Sequence, residues 1–382
     1  MFAIVNLIVS KMKSFLGFIK RIDIFMIILV IIFAIISINM ISSITGSEEE
    51  PFSRTTMVQT IAFIIGAALI IFFVAIDYKA FLPFEKYLYI LSFLIQLTVY
   101  IPGLGIESFG QRAWIDLGFT TLQPSEFVKI LFVLVMSGYL SRRMSELNSF
   151  GGFLKAFLYG LPIIGIVAIE DTGAGIVMMF MHIGLIFVAG LKTGVFIRLI
   201  IVFVVSVPIL YRFLDDYQKD RFTAFLHPDN LEISATMQLH NAKLAIGSGG
   251  FFGKGFREGT IKASNLIPVQ ESDFIFPIIC EEFGLFGGLG VVFLYVIFIS
   301  RIWFTIAKAT EMYGALICAG FMCMFGFQIF ENIGMTIGIM PITGITLPFI
   351  SAGGTSVIAN MIAVGLILSI NARDTSRSIK YT

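Results

Sequence analysis

Charge is scarce in this sequence. Only 13% of the 382 residues are Asp, Glu, Lys or Arg, against 57% hydrophobic, and the mean hydropathy is +0.94. That balance excludes a soluble domain with a large core and indicates a polytopic membrane protein. The few charges nearly cancel, at net +1, which excludes a nucleic-acid surface as the main theme. Cysteine is equally sparse. Cys280, Cys318 and Cys323 all fall in apolar runs, so there is neither a disulfide framework nor a zinc spacing. No small-residue cleavage site follows the first apolar run, which argues against a cleavable signal. No internal repeat is visible, which weakens a transporter built from two similar halves.

Apolar length is what the chain does have. A membrane span takes roughly 20 apolar residues. Ten runs qualify, near 24–44, 57–76, 83–102, 124–141, 155–169, 173–191, 194–211, 274–300, 312–334 and 350–370. The expected fold class is an all-α integral membrane protein. It has one polytopic domain over 1–382, about ten transmembrane helices and a long extracytoplasmic loop, 212–273, between spans 7 and 8. Orientation follows the short loops. Lys11, Lys13, Lys20 and Arg21 precede span 1, and Lys79, Lys86, Arg142, Arg143, Lys155, Lys192, Arg198, Arg301 and Lys308 share that side. Glu48, Glu49 and Glu50 lie opposite. The segments 1–23 and 371–382 are therefore expected in the cytoplasm, in a multi-pass protein of the cell membrane.

The stretch from Asn265 to Gly290 carries the strongest functional signal. Gln270-Glu271-Ser272-Asp273 runs straight into an apolar segment that holds Glu281 and Glu282. A carboxylate at the mouth of a membrane helix is costly and usually marks a working site. Asp273 sits where the helix dipole favours an anion, and Pro277 fits the first helical turn, so Asp273 should lie just ahead of the helix.

Other polar groups allow two readings each. Glu126 and Lys129 in T-L-Q-P-S-E-F-V-K either seat span 4 as an ion pair or line a polar route to the site. Arg112 suits a phosphate or a lipid headgroup, and Trp114 an interface anchor. Glu170 and Asp171 either cap span 6 or form part of a polar site. His182 reads as a packed histidine with one hydrogen bond. The stretch Asp215 to Phe222 is amphipathic and suits a membrane surface. Glycines at 247, 249, 250, 253 and 255 give a loop whose backbone could approach a ligand, although it lacks the ending of a nucleotide P-loop. Lys243, Lys254, Arg257 and Lys262 add cations there, which suits an anionic substrate such as a pyrophosphate, or simply a solvated loop. Gln328, Glu331 and Asn332 share a helix face, and the Gly/Pro-rich stretch after them should be irregular backbone buried in protein or lining a cavity.

Four of these stretches together, Gln111–Leu117 with Gln123–Lys129, Gln238–Gly255, Pro268–Gly284 and Asn332–Ser356, resemble the SEDS family, which includes RodA, FtsW and SpoVE. The short tails favour RodA, the elongation protein. The resemblance implies a peptidoglycan glycosyltransferase that polymerises lipid II on the outer face of the cytoplasmic membrane, beside a class B penicillin-binding protein. Asp273, in S-D-F-I-F, stands at the family's essential aspartate, and Glu126/Lys129 at its polar pair. Pro268-Val269-Gln270-Glu271-Ser272 lacks the family's usual histidine, and Ala352 stands where tyrosine is common. The reaction inverts the anomeric centre, so it needs a base and charge neutralisation at the leaving group. Asp273 is the expected base. Arg112, Lys243, Lys254 or Arg257, or a divalent cation such as Mg or Mn, would meet the pyrophosphate. The competing readings are a lipid II flippase and a non-catalytic scaffold for a penicillin-binding protein. A flippase should hold its key groups near the midplane.

Overall fold

The computed structural model describes residues 21–47, 50, 52–108, 111–192, 194–195, 216–227, 234–264 and 266–378. In chain order its helices are α1 (Ile24–Thr45), α2 (Arg54–Ala75), α3 (Glu85–Leu97), α4 (Pro124–Ser141), α5 (Phe150–Glu170) and α6 (Thr172–Val188). They continue as α7 (Asp216–Leu226), α8 (Ser234–Ser248), α9 (Thr260–Ala263), α10 (Ile275–Lys308), α11 (Met312–Ile337) and α12 (Gly354–Ser378). Eight segments among the described residues are long and apolar enough to cross a bilayer, and α6 is a ninth, shorter apolar helix. Nine of the expected spans thus have a helix. The seventh, 194–211, lies outside the described residues beyond its first two.

Local chemistry sets the boundaries. Asp23 caps α1 by accepting from the Met26 N–H at 3.3 Å. The third span begins as a 3-10 turn, Tyr78–Phe84, because Pro83 denies it a regular ladder. Ser149 caps α5, which starts five residues before the apolar run read at 155–169. Pro124 occupies the first turn of α4, as expected. The last helix continues past 370, where the tail was expected, as far as Ser378.

Two connections carry structure that apolar length does not reveal. Between α3 and α4 lies a three-stranded antiparallel sheet, β1 (Gly105–Ser108), β2 (Gln111–Asp116) and β3 (Thr121–Leu122), in the order β1-β2-β3. Ala113 and Ile115 on β2 are buried, the alternation of a strand with one covered face. Within 212–273 the chain folds into α7, α8 and α9.

An aromatic cluster holds the centre. Phe33 of α1 stacks on Tyr295 of α10 at 4.7 Å and on Phe349 at 5.8 Å, and Phe298 meets Phe325 edge-on at 5.2 Å. Phe349 sits on the irregular stretch between α11 and α12 with φ +64, a costly conformation for a bulky residue. Burying its ring among these partners compensates that cost. The Tyr295 hydroxyl donates to the Pro348 carbonyl at 2.5 Å, fixing the same stretch. This is the irregular, buried backbone expected after Asn332.

Helix α10 is broken at Gly284, whose φ of 68 and ψ of −163 suit glycine alone. A break leaves backbone groups without helical partners, and apolar surroundings supply none. The glycine-rich loop supplies them. Lys254 and Gly255 donate N–H groups to the Glu281 and Glu282 carbonyls at 3.0 Å each, while Leu285 and Phe286 donate to Gly250 and Phe251 at 2.8 and 3.2 Å. A Cβ at Gly253 would overlap the Glu282 carbonyl. The backbone that this loop approaches is therefore α10 itself. Gly284→Ala is expected to destabilise the protein by about 1–3 kcal/mol, read as a lower thermal midpoint in detergent. An unchanged midpoint would show that the break tolerates a side chain.

Because the spans alternate in direction, every second connection returns to one end of the bundle. The α1–α2, α3–α4, α5–α6 and α11–α12 connections meet there with the approach to α10.

Candidate active site

The turn 268–274 leads into α10 and is fastened through its main chain. The Ser351 hydroxyl donates to the Ser272 carbonyl and accepts from the Leu347 N–H at 2.9 Å. The Ala352 N–H donates to the Glu271 carbonyl at 2.7 Å. The Asn332 side-chain amide donates to the carbonyls of Asp273 and Ile345, at 2.9 and 2.8 Å. One amide on α11 thus joins the two loops. Gln59 of α2 adds a further tie, donating to the Ser351 carbonyl at 3.0 Å and accepting from the Gly353 N–H at 3.1 Å. With the backbone occupied, the Asp273 side chain is left to face a cleft, just ahead of α10 as the sequence predicts.

The cleft has a volume of about 660 Å³ and is lined by both strongly polar and apolar groups, among them Asp273, Glu271, Asp171, Arg54, Arg221 and Trp114. Asp273 is half-buried. Its Oδ1 accepts from the Ser272 hydroxyl at 2.9 Å. A Cβ at Gly344 would lie 3.2 Å from Asp273 Oδ2 and 3.4 Å from Arg221 Nη1, so the acid and the guanidinium flank one glycine. Burial pushes the Asp273 carboxyl above the usual carboxylate range. The Ser272 hydrogen bond and Arg221 pull it back in part, and Glu271 adds to the rise. The result is a carboxyl that holds its proton more tightly than an exposed aspartate does.

Asp171 serves both of the roles open to it. Its Oδ1 accepts from the Ala174 N–H at 2.9 Å and caps α6, while Oδ2 accepts from Gln123 at 2.6 Å and Ser125 at 2.9 Å. The Tyr100 hydroxyl donates to Glu170. His182 is buried and hydrogen-bonded to the Phe157 carbonyl at 3.0 Å, a packed residue outside the cleft lining.

Of the residues singled out in the sequence, Trp114, Asp171, Glu271, Ser272 and Asp273 line the cleft. Glu126 and Lys129 form a buried ion pair at 2.9 Å within α4, with side chains 8% and 2% exposed, and neither lines the cleft. The geometry is that of an ion pair seating the helix. Arg112 lies half-buried on β2 outside the lining. Lys243 packs against Gly338 at the end of α11. Lys254 pairs with Glu281 at 2.7 Å, and Arg257 donates to the Ser42 hydroxyl at 2.8 Å. Lys262 pairs with Glu282 at 2.5 Å. These three cations neutralise or brace the carboxylates and polar groups beside the α10 break. The four candidate pyrophosphate cations read from the sequence, Arg112, Lys243, Lys254 and Arg257, are thus absent from the cleft.

Sequence reasoning misses Arg221 and Arg54. Arg221 lies on α7, in the stretch read as a membrane-surface helix, and arginine in D-R-F is the only local signal. Arg54, at the start of α2, donates to the Gly118 and Phe119 carbonyls at 3.0 and 2.8 Å and holds the β2–β3 turn over the cleft. Among the described residues no three His, Cys, Asp or Glu side chains converge as metal ligands.

Comparison with known proteins agrees with this architecture. The family model for the FtsW, RodA and SpoVE cell cycle proteins matches residues 20–376. A relative from Coxiella burnetii, the probable peptidoglycan glycosyltransferase FtsW, is 36% identical over 297 residues, covering 76% of this chain and 79% of its own. The peptidoglycan glycosyltransferase MrdB of Escherichia coli is 31% identical over 308 residues, covering 80% of this chain and 83% of its own. A chain from a solved peptidoglycan synthase complex that coordinates polymerization and crosslinking has the same fold, with TM-score 0.78 at 24% identity, covering 92% of this chain and 98% of that one. With a family match along nearly the whole chain and relatives above 30% identity over most of their lengths, this protein belongs to the FtsW, RodA and SpoVE family of cell cycle proteins.

Proposed function

We propose that the protein is a peptidoglycan glycosyltransferase that joins lipid II disaccharide units into β-1,4 glycan strands, for cell elongation and shape or for division. The observation that carries this reading is Asp273, a carboxylate of raised proton affinity facing a cleft beside Arg221. Asp273 takes the proton from the acceptor sugar's 4-hydroxyl as that oxygen attacks the donor's anomeric carbon. The new C1–O4 bond forms while the bond from C1 to the pyrophosphate oxygen breaks, and the leaving group departs with the electron pair. Arg221, with Arg54 at the rim, meets the negative charge that develops there. Arginine suits this because its planar fork binds phosphate in two places.

The remaining placement follows from charge. Lys79, Arg142, Arg143, Lys155, Arg301, Lys308 and Arg373 lie at the end away from the cleft. By the positive-inside rule that end is cytoplasmic, with both termini, and the cleft opens at the outer face. There the chain would meet lipid II, the surrounding lipid and a class B penicillin-binding protein that crosslinks the product. A flippase is less well supported, because the cleft sits at the end of the bundle and carrier sites lie near the midplane.

The test is polymerisation of lipid II by the purified protein in detergent, where no transport is possible. Glycan chains are the expected product. Their absence both alone and with a penicillin-binding partner would overturn the enzyme reading.

A further inference from the structure

A second cavity, of about 670 Å³, lies between α1 and α10 and shares no lining residue with the cleft. Ile35 and Met40 of α1, Phe256 of the glycine-rich loop, and Phe283, Phe286 and Leu294 of α10 give it apolar walls. Along α10 the lining runs from before the break at Gly284 to beyond it. Such walls suit a hydrocarbon chain. Lipid tails are as apolar as leucine, so the walls alone select no particular lipid.

Two polar residues do select. Asn39 lines the groove and is exposed, although it lies within a membrane span. One N–H of its amide donates to the Ile35 carbonyl at 2.7 Å, which leaves the second for another acceptor. A polar side chain at such a depth is costly unless a partner meets it. Arg257 follows Phe256 and donates to the Ser42 hydroxyl at 2.8 Å. Ser42 is three residues beyond Asn39, close to the end of α1 at Thr45. The guanidinium therefore stands at the head of the groove, and Asn39 lies deeper.

The charge of Arg257 is not met by the protein. Lys254 and Lys262 pair with Glu281 and Glu282. Glu258 lies against Gly255, where a Cβ would come within 2.9 Å of its Oε2. Among the described residues Arg257 has only neutral neighbours, the Ser42 oxygens and the Phe256 ring at 5.6 Å. Its Nε is buried with no hydrogen-bond partner, and a buried donor of this kind favours an acceptor. Its φ of 68 is costly for a residue with a side chain, and such strain gathers at ligand clamps.

We propose that the groove between α1 and α10 binds an anionic phospholipid. The order of groups along the groove matches the order in the lipid. Arg257 meets the phosphodiester, because its planar fork suits phosphate. Asn39, deeper, donates to an acyl ester carbonyl. The apolar walls take the acyl chain. A polyprenyl pyrophosphate joins its chain directly to phosphate and has no ester for Asn39, so the geometry favours the phospholipid over a substrate-type lipid. The proposal does not depend on the reading of Asp273.

The test is native mass spectrometry of the full-length protein in detergent, offered phosphatidylglycerol and phosphatidylcholine with the same acyl chains. Phosphatidylglycerol should be retained about fivefold better, the weight of one arginine facing an anionic headgroup. Arg257→Gln should erase the preference, and Arg257→Lys should keep most of it. Gly290→Phe tests the groove without touching Arg257. Gly290 lines the groove and a Cβ there meets nothing within 4 Å, so the ring enters open space. That variant should keep its thermal midpoint without added lipid and lose phosphatidylglycerol. Equal retention of the two lipids by the native protein would overturn the proposal, as would an intact preference in both Arg257→Gln and Gly290→Phe. Displacement of phosphatidylglycerol by an equal amount of polyprenyl phosphate would assign the groove to a carrier lipid instead. Loss of the lipid when a penicillin-binding protein binds would assign it to that partner's membrane helix. Either result overturns the proposal.

Discussion

Asp273→Asn is expected to lower the rate of lipid II polymerisation by about 10²–10⁴-fold, the contribution of a positioned general base. The substitution keeps the shape of the side chain, and its Oδ1 still accepts from the Ser272 hydroxyl. Asn332 bonds the main-chain carbonyl of residue 273, so the lock between the loops survives. The loss should therefore fall on the chemistry, and the protein should fold.

The same variant should be more stable than the native protein at neutral pH. Burial raises the Asp273 carboxyl above its ordinary range. A carboxyl with a raised folded-state value favours the fold while protonated, at low pH, and loses that contribution as pH rises through the folded value. Near neutrality its charge opposes folding, and asparagine carries none. The thermal midpoint of the variant relative to native should rise with pH. A native polymerisation rate in Asp273→Asn would remove Asp273 as the base. A midpoint difference that falls with pH would show that Arg221 and Ser272 outweigh burial.

How much of this is legible in the sequence depends on the range of the forces involved. Membrane spans depend on one local signal, an apolar run of sufficient length, and their helices match it closely. Asp273 is also a local signal, since a carboxylate beside a long apolar helix is conspicuous without knowledge of the fold. The irregular stretch after Asn332 follows from glycine and proline in the same way. Lys254 and Arg257 illustrate the failure. Closeness in sequence suggests closeness to Asp273, yet their loop is drawn along α10 to the orphaned backbone groups at Gly284. Nothing local marks Gly284 as a break, because glycine is common in the apolar helices of this chain. The sheet β1–β3 escapes because its strands are too short for a two-residue period to stand out. Arg221 escapes for the opposite reason. Its helix is polar enough to read as a surface segment, and only the packed fold brings it beside Gly344 and Asp273.

Arg221→Ala is the second large effect. Removing a charge-stabilising donor from an active site costs about 10²–10³-fold in rate, and that loss is expected here. Arg221→Lys should recover part of it, because an ammonium restores the charge but not the planar fork. The pH profile provides an independent reading. Arg221 draws the Asp273 carboxyl downward, so its removal should leave that carboxyl higher and move the acid limb of the rate to higher pH. General damage to the fold would lower the rate without moving the acid limb. An Arg221→Ala protein with the native rate and an unmoved acid limb would mean that the leaving group's charge is met elsewhere, with Arg54 at the rim the next arginine to test.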